Sequence, residues 1–251
     1  MLGRRQRDRR RCGQGLLRRV LGWTYQGDEA GRGGYAIGEV DGAAAGGIGP
    51  QQEEGAPSAW TVYFASDDAD ATAAAVTGHG GAIHLPPGDV GPRGRMFIGA
   101  DPTGAAFGVW QAGTMIGAGA VNRPGGLTWE DLRSPDPDTA RAFYTAVFGF
   151  RTEALADAGP DYTTYALANE ELPLGGMGGM MGAEGQPAHW LVYFGVVDVT
   201  ATIAAAEAGG GSVLVKEVET PYGRMAGLAD PDGAPFWVIQ TDGHGQPDRS
   251  G

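Results

Sequence analysis

The side chains able to do chemistry in this sequence are few, and most lie in short strand-like segments. Trp129, Asp131 and Arg133 alternate, as do His189, Leu191 and Tyr193, so each set shares one face of a strand. Asp131 and His189 are the candidate catalytic residues, because a carboxylate and an imidazole are the groups that most often move protons. A lone strand histidine is more often a structural residue than a catalytic one. Trp129, Tyr165, Tyr193 and Trp237, with Tyr63 and Trp110, offer flat rings to an aromatic or apolar ligand, or simply fill the space they face. Arg95 and Arg224 could clamp a carboxylate, or pair with nearby acids such as Asp101 and Asp230. Gly175 to Gly182, with Met177, Met180 and Met181, reads as an adaptable pocket wall or as a glycine-weakened strand. His79, His84 and His244, and the pairs Glu53-Glu54 and Glu170-Glu171, sit in settings that read as solvated or structural.

These residues are positioned by a sequence that repeats itself. Trp60-Thr61-Val62-Tyr63-Phe64 is matched by Trp190-Leu191-Val192-Tyr193-Phe194, offset by 130 residues. Gly94-Arg95-Met96 returns as Gly223-Arg224-Met225, and Asp101-Pro102-Thr103-Gly104 as Asp230-Pro231-Asp232-Gly233, both offset by 129. An ordered series of this length implies two copies of one folding unit. In each copy the pattern predicts strand, helix, strand, strand, strand. Val62, Phe64, Val192, Phe194 and Val196 are expected to pack on the helices, with Tyr63, Tyr193, Trp110 and Trp237 on the opposite face. Asp68 and Asp198 are expected to cap helices, and Pro86-Pro87-Gly88 to end a strand that begins at Ala82. A related unit precedes the second copy. A strand over Trp129 to Arg133 leads into a helix opened by Ser134-Pro135-Asp136 and closed by Gly149.

The composition bounds what this fold can be for. The chain has 251 residues, 42% of them apolar, and a formal charge of −12. Eight of its 18 basic residues are arginines within residues 1–19, beside the single acid Asp8, so the remainder carries 10 basic and 29 acidic residues, a net −19. That balance argues against a nucleic-acid partner, and no stretch is long and apolar enough to span a membrane. Cys12 is the only cysteine, which rules out an internal disulfide or a thiolate cluster. The expected setting is the cytoplasm, the expected partner a small molecule, and the expected state a monomer or homodimer.

The element order, Ala142-Phe143-Tyr144 ahead of Val147-Phe148-Gly149-Phe150, and the Asp-Pro-x-Gly turn before the last strand resemble the vicinal oxygen chelate superfamily. This group holds glyoxalase I, bleomycin-resistance proteins and extradiol dioxygenases, and the likeness is to its tandem-duplicated members, some provisionally labelled hydroxylases. The resemblance implies an α+β protein of four βαβββ modules forming two cupped-sheet domains. It would place the first domain at residues 20–113, a linker at 114–126, the second domain at 127–243 and a tail at 244–251. It further implies either a binder of a small organic molecule or an enzyme of lyase, hydroxylase or dioxygenase type acting on a secondary metabolite. A filled cup with a purely structural role is the third reading. Metal-dependent members take His or Gln from first strands and Glu from last strands. Here the Glu positions hold Gly108 and Trp237, and the first-strand positions fall at Trp129 and near Leu191. No cofactor is therefore expected, a divalent metal being the alternative.

Residues 1–19 depart from the pattern. Val20-Leu21-Gly22-Trp23 matches Val147-Phe148-Gly149-Phe150 at offset 127, which sets Gly15-Leu16-Leu17 opposite Ala142-Phe143-Tyr144. Codons GGC CTT CTA CGG for Gly15 to Arg18, followed by C and read one base later, give Ala-Phe-Tyr-Gly. The segment thus reads as an out-of-frame version of a strand and helix. On that reading the first half lacks both native elements and is the weaker domain. A basic arm and a plain tail are the competing readings.

Overall fold

Three helices begin at an aspartate whose side chain takes a backbone N–H that the helix itself cannot satisfy. Asp68 accepts from Ala71 at 2.9 Å, Asp136 from Thr139 at 3.1 Å and Asp198 from Ala201 at 2.9 Å. Gly149 closes the middle helix in the left-handed conformation at φ 70°. These punctuation marks set the modules of the computed structural model, which describes residues 9–25, 34–50, 57–181 and 185–241. The expected tail, His244 and the Glu53-Glu54 pair lie outside the described residues.

The first module comprises α1 (Arg9–Leu21), β1 (Thr24–Tyr25), β2 (Ala36–Val40) and β3 (Ala43–Ile48). The second comprises β4 (Tyr63–Ala65), α2 (Ala69–Gly78), β5 (Ala82–Asp89), β6 (Gly94–Ala100) and β7 (Ala106–Ala112). The third comprises β8 (Leu127–Arg133), α3 (Pro137–Phe148), β9 (Arg151–Ala154), β10 (Thr163–Ala166) and β11 (Gly175–Gly178). The fourth comprises β12 (His189–Val196), α4 (Val199–Ala208), β13 (Ser212–Thr220), β14 (Gly223–Ala229) and β15 (Pro235–Gln240). In each of the last three modules the leading strand pairs in parallel with the closing one, β4 with β7, β8 with β11 and β12 with β15, and the remaining pairs are antiparallel. The protein is α+β.

Two compact units emerge, and they interleave the halves read from the repeat. The first draws on residues 1–60, 118–128 and 193–251, the second on 61–117 and 129–192. In the first unit α1 packs on α4, with Leu16 and Leu17 each 1% exposed. Trp23 is fully buried, lies against Gly38 and Gly46, and donates its indole N–H to the Gly125 carbonyl at 2.7 Å. In the second unit Phe64 is the hub, meeting Phe107, Tyr144, Phe148, Phe150 and Trp190 at centroid distances of 5.0–5.9 Å. Interlocked edge and tilted contacts of this kind add to area burial.

Two expectations need correction. The helix expected to be missing before Val20 is formed, because leucines at 16 and 17 keep the apolar stripe that a helix needs. Pro86 and Pro87 do not end β5, which runs to Asp89. It is an edge strand whose register shifts between Ile83 and Leu85 and again between Leu85 and Gly88, a setting that tolerates missing donors.

Candidate functional site

Strand alternation on β8 turns Trp129, Asp131 and Arg133 to one face and Thr128, Glu130 and Leu132 to the other. On the first face the three side chains form one network with Tyr162. Trp129 Nε1 donates to Asp131 Oδ1 at 2.9 Å and lies 3.2 Å from the Tyr162 hydroxyl. Tyr162 donates to the same carboxylate oxygen at 2.5 Å. Arg133 Nη2 pairs with Asp131 Oδ2 at 2.6 Å, and its guanidinium lies 5.4 Å from the Tyr162 ring centroid. Asp131 is 3% exposed, so this is a buried ion pair held by neutral donors. Burial first, and then the Asp131 charge, raise the Tyr162 hydroxyl above its ordinary pKa, so it stays protonated and keeps donating. Trp129, half-exposed at the rim, has its indole orientation fixed by two polar contacts.

The room for Tyr162 comes from glycine. β11 pairs with β8 so that Gly176 lies beside Asp131 and Gly178 beside Arg133. A Cβ on Gly176 would fall 1.8 Å from the Tyr162 hydroxyl, and one on Gly178 2.9 Å from the Tyr162 ring. The glycine run is thus the floor of the network. Tyr162 escapes prediction because it reaches in from the turn before β10; its signal is the glycines opposite Asp131 and Arg133. Met181, exposed, touches Arg133, whereas Met177 is fully buried.

The other predicted residues fall elsewhere. Tyr165 is fully buried on the opposite face, packed 4.9 Å from Phe150, and donates to Glu130 Oε1 at 2.7 Å. Burial pushes the Glu130 carboxyl up to about 7 against the pull of that hydrogen bond, with the Asp131 charge adding to the rise. His189 Nδ1 lies 2.9 Å from the Pro187 carbonyl, which can only accept, so that nitrogen is the donor. Arg95 pairs with Asp70 and Asp89, and Arg224 with Glu217 and Glu219; their partners are these acids of neighbouring elements, not Asp101 and Asp230. Asp101 Oδ1 instead gathers Thr103 and Ala105 into its turn, and Asp230 does the same with Asp232 and Ala234. Trp110 donates to the Met115 carbonyl at 2.8 Å.

The closing strands carry rings where carboxylates were sought. Tyr63 is the register partner of Gly108, and a Cβ there would meet its ring at 2.4 Å. In the first unit Tyr193 is the register partner of Trp237, and the two rings stack at 5.5 Å and 25°.

A family model matches residues 15–109 and 126–238, that of the Glyoxalase/Bleomycin resistance protein/Dioxygenase superfamily. The chain belongs to this superfamily. Two tandem glyoxalase-like regions follow from the match. CFP32 of Mycobacterium tuberculosis, whose name carries a provisional glyoxylase assignment, is 40% identical over 230 residues, 88% of this chain and 86% of that one. The anthracycline biosynthesis protein DnrV of Streptomyces peucetius is 38% identical over 239 residues, 88% and 85% respectively. In fold the chain is similar to the Mn(II)-bound glyoxalase from Novosphingobium aromaticivorans (TM-score 0.64, 17% identity, 92% of this chain and 78% of that one). It is also similar to 2,2',3-trihydroxybiphenyl 1,2-dioxygenase from Sphingomonas wittichii (TM-score 0.60, 14% identity, 97% and 89%).

The side chains present do not fit the superfamily's divalent metal. Glycine and tryptophan hold the two carboxylate positions, rings lie over both, and no three His, Cys, Asp or Glu side chains converge among the described residues. No helix among the described residues is long and apolar enough to cross a membrane.

Proposed function

We propose that this protein binds a planar aromatic small molecule against Trp129, in the cytoplasm and without the superfamily's metal. The observation that supports this reading is the network that fixes the Trp129 indole, in which Asp131, Arg133 and Tyr162 satisfy one another and leave a flat ring at the rim. A rigid ring on a desolvated polar base favours stacking and loses little entropy when a ligand lands. Tyr63, exposed over Gly108 in the second unit, and Trp237, part-exposed and stacked on the buried Tyr193 in the first, offer further aromatic surface. DnrV, by its name, serves anthracycline biosynthesis, which makes an anthracycline the probe of choice. Calorimetric titration of the full chain should give saturable binding, weakened about tenfold by Trp129→Ala, roughly 1.4 kcal/mol. Equal binding by the variant contradicts the reading.

The second reading is an enzyme of lyase, hydroxylase or dioxygenase type, favoured by the buried Asp131 carboxylate held beside Trp129 with the Tyr162 hydroxyl donating to it. His189 would be the alternative base. Asp131→Asn separates the two: turnover of a bound secondary metabolite vanishes while binding weakens only modestly if the chain is an enzyme.

A further inference from the structure

The two compact units share the arrangement of their aromatic cores, and the first unit lacks a tyrosine hydroxyl that serves the second. In the second unit Trp190 Nε1 donates to the Tyr144 hydroxyl at 3.0 Å. Burial, and then the neighbouring Asp101 carboxylate, hold the Tyr144 hydroxyl well above its ordinary pKa, so its proton is retained. Asp101 Oδ1 serves its own turn, and Oδ2, also buried, has no hydrogen-bond partner among the described residues. Trp190 is thus paired with the Tyr144 hydroxyl near a buried carboxylate.

The first unit repeats the geometry ring by ring. Trp60 meets Phe194 at 5.1 Å as Trp190 meets Phe64 at 5.3 Å. Phe194 meets Phe236 at 6.2 Å as Phe64 meets Phe107 at 5.9 Å. Phe194 meets Trp23 at 5.6 Å as Phe64 meets Phe150 at 5.6 Å. The helices follow the same rule: a Cβ on Gly211 would meet Leu16 at 2.9 Å, and one on Gly81 would meet Phe143 at 2.9 Å. A Cβ on Gly13 would lie 3.2 Å from Asp230 Oδ2, which places the counterpart of Asp101 beside α1. Leu17 therefore stands where Tyr144 stands, and it has no hydroxyl. The consequence is visible at Trp60, whose Nε1 is buried and bonds to nothing among the described residues. An orphaned buried donor is costly.

The same residue is singled out by the coding argument. Read one base later, codons for Gly15-Leu16-Leu17 give Ala-Phe-Tyr, which restores a tyrosine at 17. We infer that α1 is a frame-shifted copy of a native helix, that its leucines preserve the apolar stripe, and that the loss of one tyrosine hydroxyl leaves Trp60 without the acceptor that Tyr144 gives Trp190. The damage falls on the unit that carries the Tyr193–Trp237 stack.

Thermal unfolding of the full chain tests this. Leu17→Tyr should raise Tm by about 2–4 °C, and Leu17→Phe should not. In the other unit Tyr144→Phe, which orphans Trp190, should lower Tm by a similar amount. A Leu17→Phe gain equal to that of Leu17→Tyr, or an unchanged Tm in Tyr144→Phe, overturns the hydroxyl account. The nucleotide sequence tests the frame: the bases of Gly15 to Arg18 must encode Ala-Phe-Tyr one base later, and any other reading there overturns it.

Discussion

Strands β8 and β12 lead equivalent modules and present different faces. On β8, Trp129, Asp131 and Arg133 join Tyr162 in a polar network. On β12, His189 bonds to a local carbonyl and Tyr193 stacks on a ring. The neighbouring strand decides between them. β11 offers Gly176 and Gly178, whose bare backbone lets a tyrosine reach across, whereas β15 offers Trp237, which fills the same space. Glycine beside a strand carrying charge makes a polar site, and a bulky ring beside a strand carrying tyrosine makes a stacking surface.

That contrast can be broken from either side. The largest effect is expected for Arg133→Ala, which leaves Asp131 buried without its cation and should cost about 3–5 kcal/mol in denaturant unfolding. Next is Gly176→Ala, whose new Cβ displaces the Tyr162 hydroxyl, for about 1–3 kcal/mol. It should also weaken anthracycline binding, by no more than the roughly tenfold loss expected for Trp129→Ala. Smaller and pH-dependent is Glu130→Gln. The folded carboxyl titrates at about 7, above its unfolded value, so wild-type stability is greatest below the unfolded pKa and is lost as pH rises through 7. The variant should therefore gain about 1–2 kcal/mol over wild type at pH 8 and nothing at pH 4. Least of all is Arg224→Ala, which removes only solvent-facing pairs and should leave both stability and binding within error.

The repeat alone made the modules legible, since a tyrosine or an Asp-Pro-x-Gly turn recurring at fixed offset can only be read as duplicated structure. The three aspartate caps and the inward-facing Val62, Phe64, Val192, Phe194 and Val196 were legible for the same local reasons. What escaped prediction depends on tertiary neighbours. Tyr165 alternates correctly along its strand, but its face is the aromatic core. Arg95 and Arg224 meet acids on the preceding hairpin strand, Asp89, Glu217 and Glu219, and Arg95 also meets Asp70 of α2, pairings set by strand register. Tyr162 belongs to the network only because β11 is glycine there, and α1 forms although its arginines obscure the stripe made by Leu16 and Leu17.

The central claim is that rings have replaced the superfamily's metal ligands, and elemental mass spectrometry of the purified full chain after dialysis without chelator tests it most directly. The account predicts divalent metal far below stoichiometric amounts in a folded protein that still binds the aromatic probe. About one equivalent of a divalent metal per chain would contradict it and return the chain to metal-dependent chemistry.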